Sequence, residues 1–258
     1  RYTSPNFTRF SLIIRSIMLK LLRIIAIIIC AIFICLAGVV YAIVRLRNPN
    51  CVGDVARMFS SMRHLLGINL IRRTKAPLDT PAIYIANHQN NYDMVTISSM
   101  VPPNTVTIGK RSLIWIPFFG LVYWVTGNIL INREKRTSAI GTMTKVGEII
   151  KERQVSIWMF PEGTRSRGRG LLPFKTGAFH TAIAAGVPIV PIVCSTLHNK
   201  IDLNRLNNGT VICETLEPID TSGYSRENIK ELIEKCHAIM QAKIEALDKE
   251  VAELESKA

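Results

Sequence analysis

The chain has 258 residues, of which 48% are hydrophobic and 20% charged, and it carries a formal net charge of +13. That length fits one α/β domain of about 200 residues plus an anchor, and the charge calls for a polyanionic partner: nucleic acid, an anionic membrane surface or a phosphorylated substrate. Nucleic acid is set aside because basic residues are not interleaved with exposed aromatics and no recognition module is present; six cysteines without CxxC or Cys/His ligand spacing indicate neither a disulfide framework nor a zinc site and fit a reducing cytoplasm.

The first residue is Arg1, and Met18 is the expected start, so residues 1–23 are read as a basic segment of which 1–17 carry no functional weight. Residues 24–44 are uncharged and apolar for about 21 positions, long enough to cross the roughly 30 Å hydrocarbon core. A signal peptide would have a shorter apolar region and a small-residue cleavage site. Lys20 and Arg23 precede the span; Arg45, Arg47, Arg57, Arg63, Arg72, Arg73 and Lys75 follow it. This excess predicts a downstream domain on the cytoplasmic side of a bacterial inner membrane, with the helix either spanning the bilayer or dipping in from one side. Within the linker 45–76, Val52, Val55, Phe59, Met62 and Leu66 lie at helical spacing, predicting an amphipathic helix over 52–70, interfacial or packed on the domain.

A catalytic domain is expected over 77–222. Apolar, β-rich runs at 82–86, 105–109, 128–132, 155–160, 188–194 and 210–216 alternate with helical patterns, notably 136–153 and 176–186. This predicts an α/β fold, a mixed sheet flanked by helices behind an N-terminal hydrophobic anchoring helix. Over 223–258, Ile229, Leu232, Ile233, Cys236, Ile239, Met240, Ile244, Leu247, Val251 and Leu254 predict an amphipathic helix, packed on the domain or, as the alternative, on a coiled-coil partner.

The stretch Asn87-His88-Gln89-Asn90-Asn91-Tyr92-Asp93 follows the first of these runs. His88 and Asp93 would stand roughly 140° apart on a regular helix. With His88 in a loop and Asp93 in the first helical turn, the carboxylate can orient the imidazole and stabilise its cation. No Ser or Cys nucleophile accompanies them, so His88 reads as a base acting on a substrate hydroxyl; the bland alternative is a turn cap and a helix cap.

Two further stretches carry charge. Phe160-Pro161-Glu162-Gly163-Thr164-Arg165-Ser166-Arg167 follows a strand pattern and, with Arg169 and Lys175, concentrates cations on a Gly-containing loop. Arg165 is the expected phosphate ligand, since a guanidinium binds two phosphate oxygens at once; Glu162 is expected to hold Arg165 or to touch a substrate hydroxyl. Lys110 opens an apolar, aromatic stretch through Gly120, with Asn132-Arg133 beyond. These stretches read either as an acyl groove with added phosphate contact or, taken singly, as core and solvated surface charge.

Together the four motifs resemble the glycerolipid acyltransferase family, in particular the bacterial 1-acyl-sn-glycerol-3-phosphate acyltransferases. The first is matched by Asn87, His88 and Asp93; the second by Lys110, Leu113, Pro117 and Gly120, with Arg133; the third by Phe160 through Ser166; the fourth by Pro188 between apolar residues. They occur in the family's order over roughly residues 77–195. Asn132 departs from an Asp common in the family. The resemblance implies that His88 and Asp93 are catalytic and that Arg165, Glu162, Gly163, Thr164, Lys110 and Arg133 hold the phosphate. Leu113, Pro117, Gly120, Pro161 and Pro188 would line an acyl groove or serve structure. It implies acyl transfer from acyl-CoA or acyl carrier protein to lysophosphatidate, with membrane lipids as surroundings and no metal or resident cofactor. The alternatives are a sibling acting on glycerol-3-phosphate or another lysophospholipid, a metal-dependent hydrolase, and a non-enzymatic basic adaptor at the membrane surface.

Overall fold

The computed structural model describes residues 5–131 and 146–257, with side chains from Met18 onward. Helix α1 runs from Pro5 to Val44. Arg23, Ile34, Cys35 and Ala42 are buried, and Ile27, Cys30 and Ala31 are partly buried between them. Spacings of three and four put these residues on one helical face, which packs against the rest of the chain. Near one end Arg23, only 8% exposed, donates to the carbonyls of Leu203, Arg205 and Leu206. Near the other, Ala42 packs with Cys51 and Val125. The 19 residue steps from Arg23 to Ala42 cover about 28 Å at 1.5 Å per residue. The opposite face, including Leu22, Ile29, Phe33, Val40 and Val44, is apolar and exposed.

Helix α2 (Asn50–Ser61) buries Cys51, Val52, Val55 and Phe59. The helix expected over 52–70 therefore stops at Ser61, and the chain enters strand β1 (Asn69–Arg73), which pairs in parallel with β7 (Thr210–Thr215). Gly67 explains the break. Its φ is +64°, and a Cβ there would lie 1.8 Å from the Leu206 carbonyl oxygen, so only glycine fits this turn. The sheet thus begins ahead of Pro77, and residues counted as linker belong to it.

The other strands are β2 (Ile83–Ala86), β3 (Thr105–Lys110), β4 (Ile129–Ile131), β5 (Ser156–Met159) and β6 (Ile189–Cys194). Each lies within a residue or two of an expected run. Among the described residues, seven strands form one sheet in the order β1-β7-β6-β2-β5-β3-β4. Every neighbouring pair is parallel except β6 with β7. β2 and β6 are buried at every residue, as expected of strands covered on both faces. Helices α3 (Phe119–Val125), α4 (described over 146–153) and α5 (Gly177–Ala185) follow in order. Residues 136–145 of the helical pattern expected over 136–153 lie outside the described residues. The last helix, α6 (Ile229–Ser256), lays Leu232, Cys236, Met240, Leu247 and Val251 against β6 and β7. Because β2, β5 and β3 are adjacent and parallel, the residues that follow them emerge along one edge, with strand spacings of about 4.8 Å. Ligands in open α/β sheets bind at that carboxyl edge.

Candidate active site

His88 leaves the carboxyl end of β2, and Asp93 sits in a single 3-10 turn, Asn91–Met94. The turn starts on a capping box. The Asn90 side chain accepts from the Tyr92 N–H at 2.8 Å, and the Asp93 carboxylate accepts from the Asn90 N–H at 3.1 Å. The same Asp93 Oδ2 lies 2.6 Å from His88 Nδ1 and accepts the Gln89 N–H at 2.7 Å. The expected helical turn is present in the tighter 3-10 form, and it brings the pair together. A carboxylate only accepts, so Nδ1 holds the proton and Nε2 keeps its lone pair. The His88 side chain is 20% exposed and that of Asp93 5%. The imidazole is reachable; its partner is not. Asp93 Oδ1 is buried without a hydrogen-bond partner among the described residues.

Three contacts fix His88 itself. Its ring stacks on Phe160 with centroids 4.1 Å apart and planes 17° from parallel. Its N–H donates to Glu162 Oε1 at 2.6 Å, and its carbonyl accepts from the Ser166 N–H at 2.8 Å. The next rung, Arg167 N–H to the Gln89 carbonyl, is 3.0 Å. The loop after β5 is thereby laced to the loop after β2. On the other side of β2, the Asn87 amide and the Cys194 backbone exchange two hydrogen bonds, of 3.0 and 2.8 Å. Gln89 donates to the Ser195 carbonyl and accepts the Leu197 N–H. Both amides extend the β2–β6 pairing beyond the strands.

Glu162 departs from expectation. It is 2% exposed, and its second oxygen accepts the Leu172 N–H at 3.0 Å. With one oxygen on His88 and the other on Leu172, it holds the site together and does not face a substrate or Arg165. Burial pushes its carboxyl above the usual range, opposed by those backbone hydrogen bonds. Arg165 and Thr164 are exposed, and the Arg165 guanidinium has no hydrogen bond or ion pair among the described residues. Gly163 has φ +69°, and a Cβ there would meet the Lys175 side chain at 2.9 Å. Glycine thus lets the Lys175 stem lie over the turn beside Arg165. Pro161 is buried, and its carbonyl accepts the Lys175 N–H.

Lys110 ends β3, exposed at the same sheet edge. Arg133 lies outside the described residues. Leu113 and Gly120 build a tight turn. A Cβ on Gly120 would stand 2.1 Å from the Ile114 carbonyl oxygen, and its N–H donates to Ile116. Pro117 is exposed in the same turn. Pro188 lies at the opposite end of the sheet, where its carbonyl accepts the Ile83 N–H at 2.9 Å. It is structural and remote from His88. The sequence motifs contain Asn87 and Phe160 but give them, and Gln89, no clamping role; the polar residues flanking His88 at the end of a fully apolar strand were the available signal.

An acyltransferase family model matches residues 67–195, from just ahead of β1 to just past β6. The chain is 59% identical over 239 residues to the 1-acyl-sn-glycerol-3-phosphate acyltransferase of Haemophilus influenzae, covering 91% of this chain and 99% of that protein. The chain belongs to the acyltransferase family. The 1-acyl-sn-glycerol-3-phosphate acyltransferase of Escherichia coli is 56% identical over 93% of this chain and 98% of its own length. The crystal structure of the 1-acyl-sn-glycerophosphate acyltransferase PlsC from Thermotoga maritima superposes with a TM-score of 0.69, covering 91% of this chain and 97% of that one. At 23% identity, that likeness bears on the fold: a mixed α/β sheet with flanking helices. This acyltransferase also carries an N-terminal helix, Met18–Val44, long and apolar enough for a membrane anchor.

Proposed function

We propose that this acyltransferase moves a fatty acyl group from a thioester, acyl-CoA or acyl carrier protein, to the 2-hydroxyl of 1-acyl-sn-glycerol-3-phosphate, giving phosphatidate. The observation that carries the reading is His88, held at Nδ1 by Asp93 at 2.6 Å with its ring partly open to solvent. Nε2 takes the hydroxyl proton as the oxygen attacks the thioester carbonyl carbon. The tetrahedral adduct collapses with cleavage of the C–S bond, and the leaving sulfur takes the proton from the imidazolium. Asp93 stabilises the imidazolium between the two transfers. Arg165, with Lys110 along the same edge, grips the phosphate; Arg133 is assigned to it by family resemblance. The names of the Haemophilus and Escherichia relatives support the acceptor.

The reading places the enzyme at a bacterial inner membrane with its sheet on the cytoplasmic side. Because α1 is held along the domain from Arg23 to Ala42, the anchor enters one leaflet beside the domain, with its exposed face in lipid.

The test is acyl transfer by purified wild type and His88→Ala, offering lysophosphatidate and glycerol-3-phosphate with each thioester donor. Phosphatidate made by wild type and reduced about 10²–10⁴-fold in the variant is expected. Transfer to glycerol-3-phosphate alone would overturn the acceptor, and no transfer by folded protein would overturn the reaction.

A further inference from the structure

Outside α1, the exposed large apolar side chains concentrate in one short segment. Trp115 is 83% exposed, and Ile114, Ile116, Phe118, Leu121 and Trp124 are 41 to 50% exposed. They belong to the 3-10 turn Arg111–Trp115, the corner after it, and α3. The side chains left outward are large and apolar, two of them tryptophans. An apolar patch of this kind on a protein surface marks a contact with another apolar phase or another protein.

The surroundings identify the phase. α3 packs directly on α1, where a Cβ added to Gly38 would touch Val122 at 2.8 Å. The patch therefore stands on a helix packed against the anchor, whose own unpacked face is apolar and exposed. Cations rim it. Lys110 and Arg111 stand exposed at its start. At its end the Arg47 guanidinium lies 5.0 Å from the Trp124 ring and donates to the Trp124 and Val125 carbonyls. Arg45 stands 5.9 Å from the Tyr41 ring. Tryptophan beside arginine and lysine, next to an aliphatic face, matches the layered chemistry of a bilayer interface: phosphates outside, acyl chains within.

We propose that residues 114–124 form a second bilayer contact, inserted into the same leaflet as α1, which sets Lys110 at the level of the lipid phosphates. This rests on acyl transfer at a membrane as proposed above, and adds that the acceptor is met in the leaflet. The packing of the turn suits it to insertion as a unit. Gly120 admits the Ile114 carbonyl at its Cα, and Leu113 lies against Gly109 of β3.

The experiment uses the full chain with phosphatidylethanolamine–phosphatidylglycerol vesicles. Tryptophan quenching by lipids brominated on their acyl chains is compared between wild type and Trp115→Phe. The expected result is a quenched component in wild type that Trp115→Phe lacks. In parallel, Trp115→Asp is assayed with lysophosphatidate embedded in vesicles and with a short-chain lysophosphatidate dispersed as monomers. A tenfold or larger loss with the embedded acceptor, with the monomeric acceptor turned over as by wild type, supports the contact. Because Trp115 is exposed, the thermal midpoint of the variant should match wild type.

Equal losses with both acceptors would make the segment part of the substrate groove and overturn the proposal. Unchanged activity with both, without quenching at Trp115, would also overturn it. A wild-type dimer in sedimentation that Trp115→Asp converts to monomer would assign the patch to a second copy of the chain and overturn it as well. If wild type acylated neither acceptor, the proposed reaction would fail, while the quenching measurement would still decide the surface.

Discussion

The backbone N–H of His88 donates to the buried Glu162 carboxylate at 2.6 Å, so the histidine from the loop after β2 is held by an acid from the loop after β5. Glu162 spends its other oxygen on the Leu172 N–H. A glutamine keeps one acceptor but turns an NH₂ group toward the remaining N–H, donor against donor. A hydrogen bond to a buried charge contributes about 1.5–3 kcal/mol. If that loss falls on the placement of His88, kcat drops about 10- to 150-fold. Glu162→Gln should therefore lower kcat with little change in the KM for lysophosphatidate, whereas Arg165→Ala should raise that KM. A raised KM in Glu162→Gln at unchanged kcat would return Glu162 to the substrate.

The same carboxylate gives a pH signature. Burial raises its pKa in the folded chain above the ordinary 4.5. An acid whose folded pKa is raised contributes stability that is fully present below its unfolded value and lost as pH rises through the folded value. The stability difference between wild type and Glu162→Gln should thus be largest near and below pH 4.5 and shrink as pH increases. Thermal midpoints of both proteins across that range check the sign; a difference that grows with pH would contradict it.

How far these roles are legible in the sequence depends on range. The strand before His88 is a continuous apolar run, and the step from His88 to Asp93 is short, so both could be read locally. β1 could not, because Asn69–Arg73 becomes a strand only by pairing with β7, some 140 residues away. Nor could the task of Glu162. Its neighbours in sequence are Arg165 and Thr164, which suggest a substrate role, while its actual partners, His88 and Leu172, are 74 and 10 residues distant. Pro188 misleads in the opposite sense. It falls within a family motif yet sits at the far end of the sheet, where it accepts from Ile83.

Asp93 joins the proposed catalysis to local folding. Its Oδ2 serves the imidazole and two backbone N–H groups at once. Asp93→Asn can preserve some acceptance but removes the charge that, in the proposed mechanism, stabilises the imidazolium. Activity should fall about 10²–10⁴-fold, with a stability loss of about 1–3 kcal/mol from weakened contacts to Gln89 and Asn90. Asp93→Ala should be worse in stability than Asp93→Asn, and chemical denaturation of the two variants tests that order.

Two glycines separate packing from helix propensity. Gly120→Ala places a methyl 2.1 Å from a backbone oxygen. Backbone cannot swing aside as a side chain can, so a loss of about 1–3 kcal/mol or more is expected, together with loss of the Lys110 turn and of activity. Gly147 lies in α4, where an added Cβ meets nothing within 4 Å. Gly147→Ala should stabilise by about 0.5–1 kcal/mol. Thermal unfolding of the pair gives opposite signs if the packing is as described.

The cysteines report on whether α6 stays on the sheet. Burial pushes the Cys236 thiol up to about 12, and Cys194, beside Cys213 in the β6–β7 pair, is raised as well. Thiolates are the species that react with alkylating agents, so at pH 8 the raised thiols of Cys194 and Cys236, and the closed packing around all three, oppose modification. Native protein treated with iodoacetamide should leave Cys194, Cys213 and Cys236 unmodified over an hour, and denatured protein should take up a label at each. Peptide mass analysis distinguishes the sites. Rapid labelling of Cys236 alone in active enzyme would mean that α6 lifts from β6 and β7 while the sheet holds, because Cys194 ends β6, which Asn87 and Gln89 tie to the His88 loop, and Cys213 of β7 pairs with Cys194.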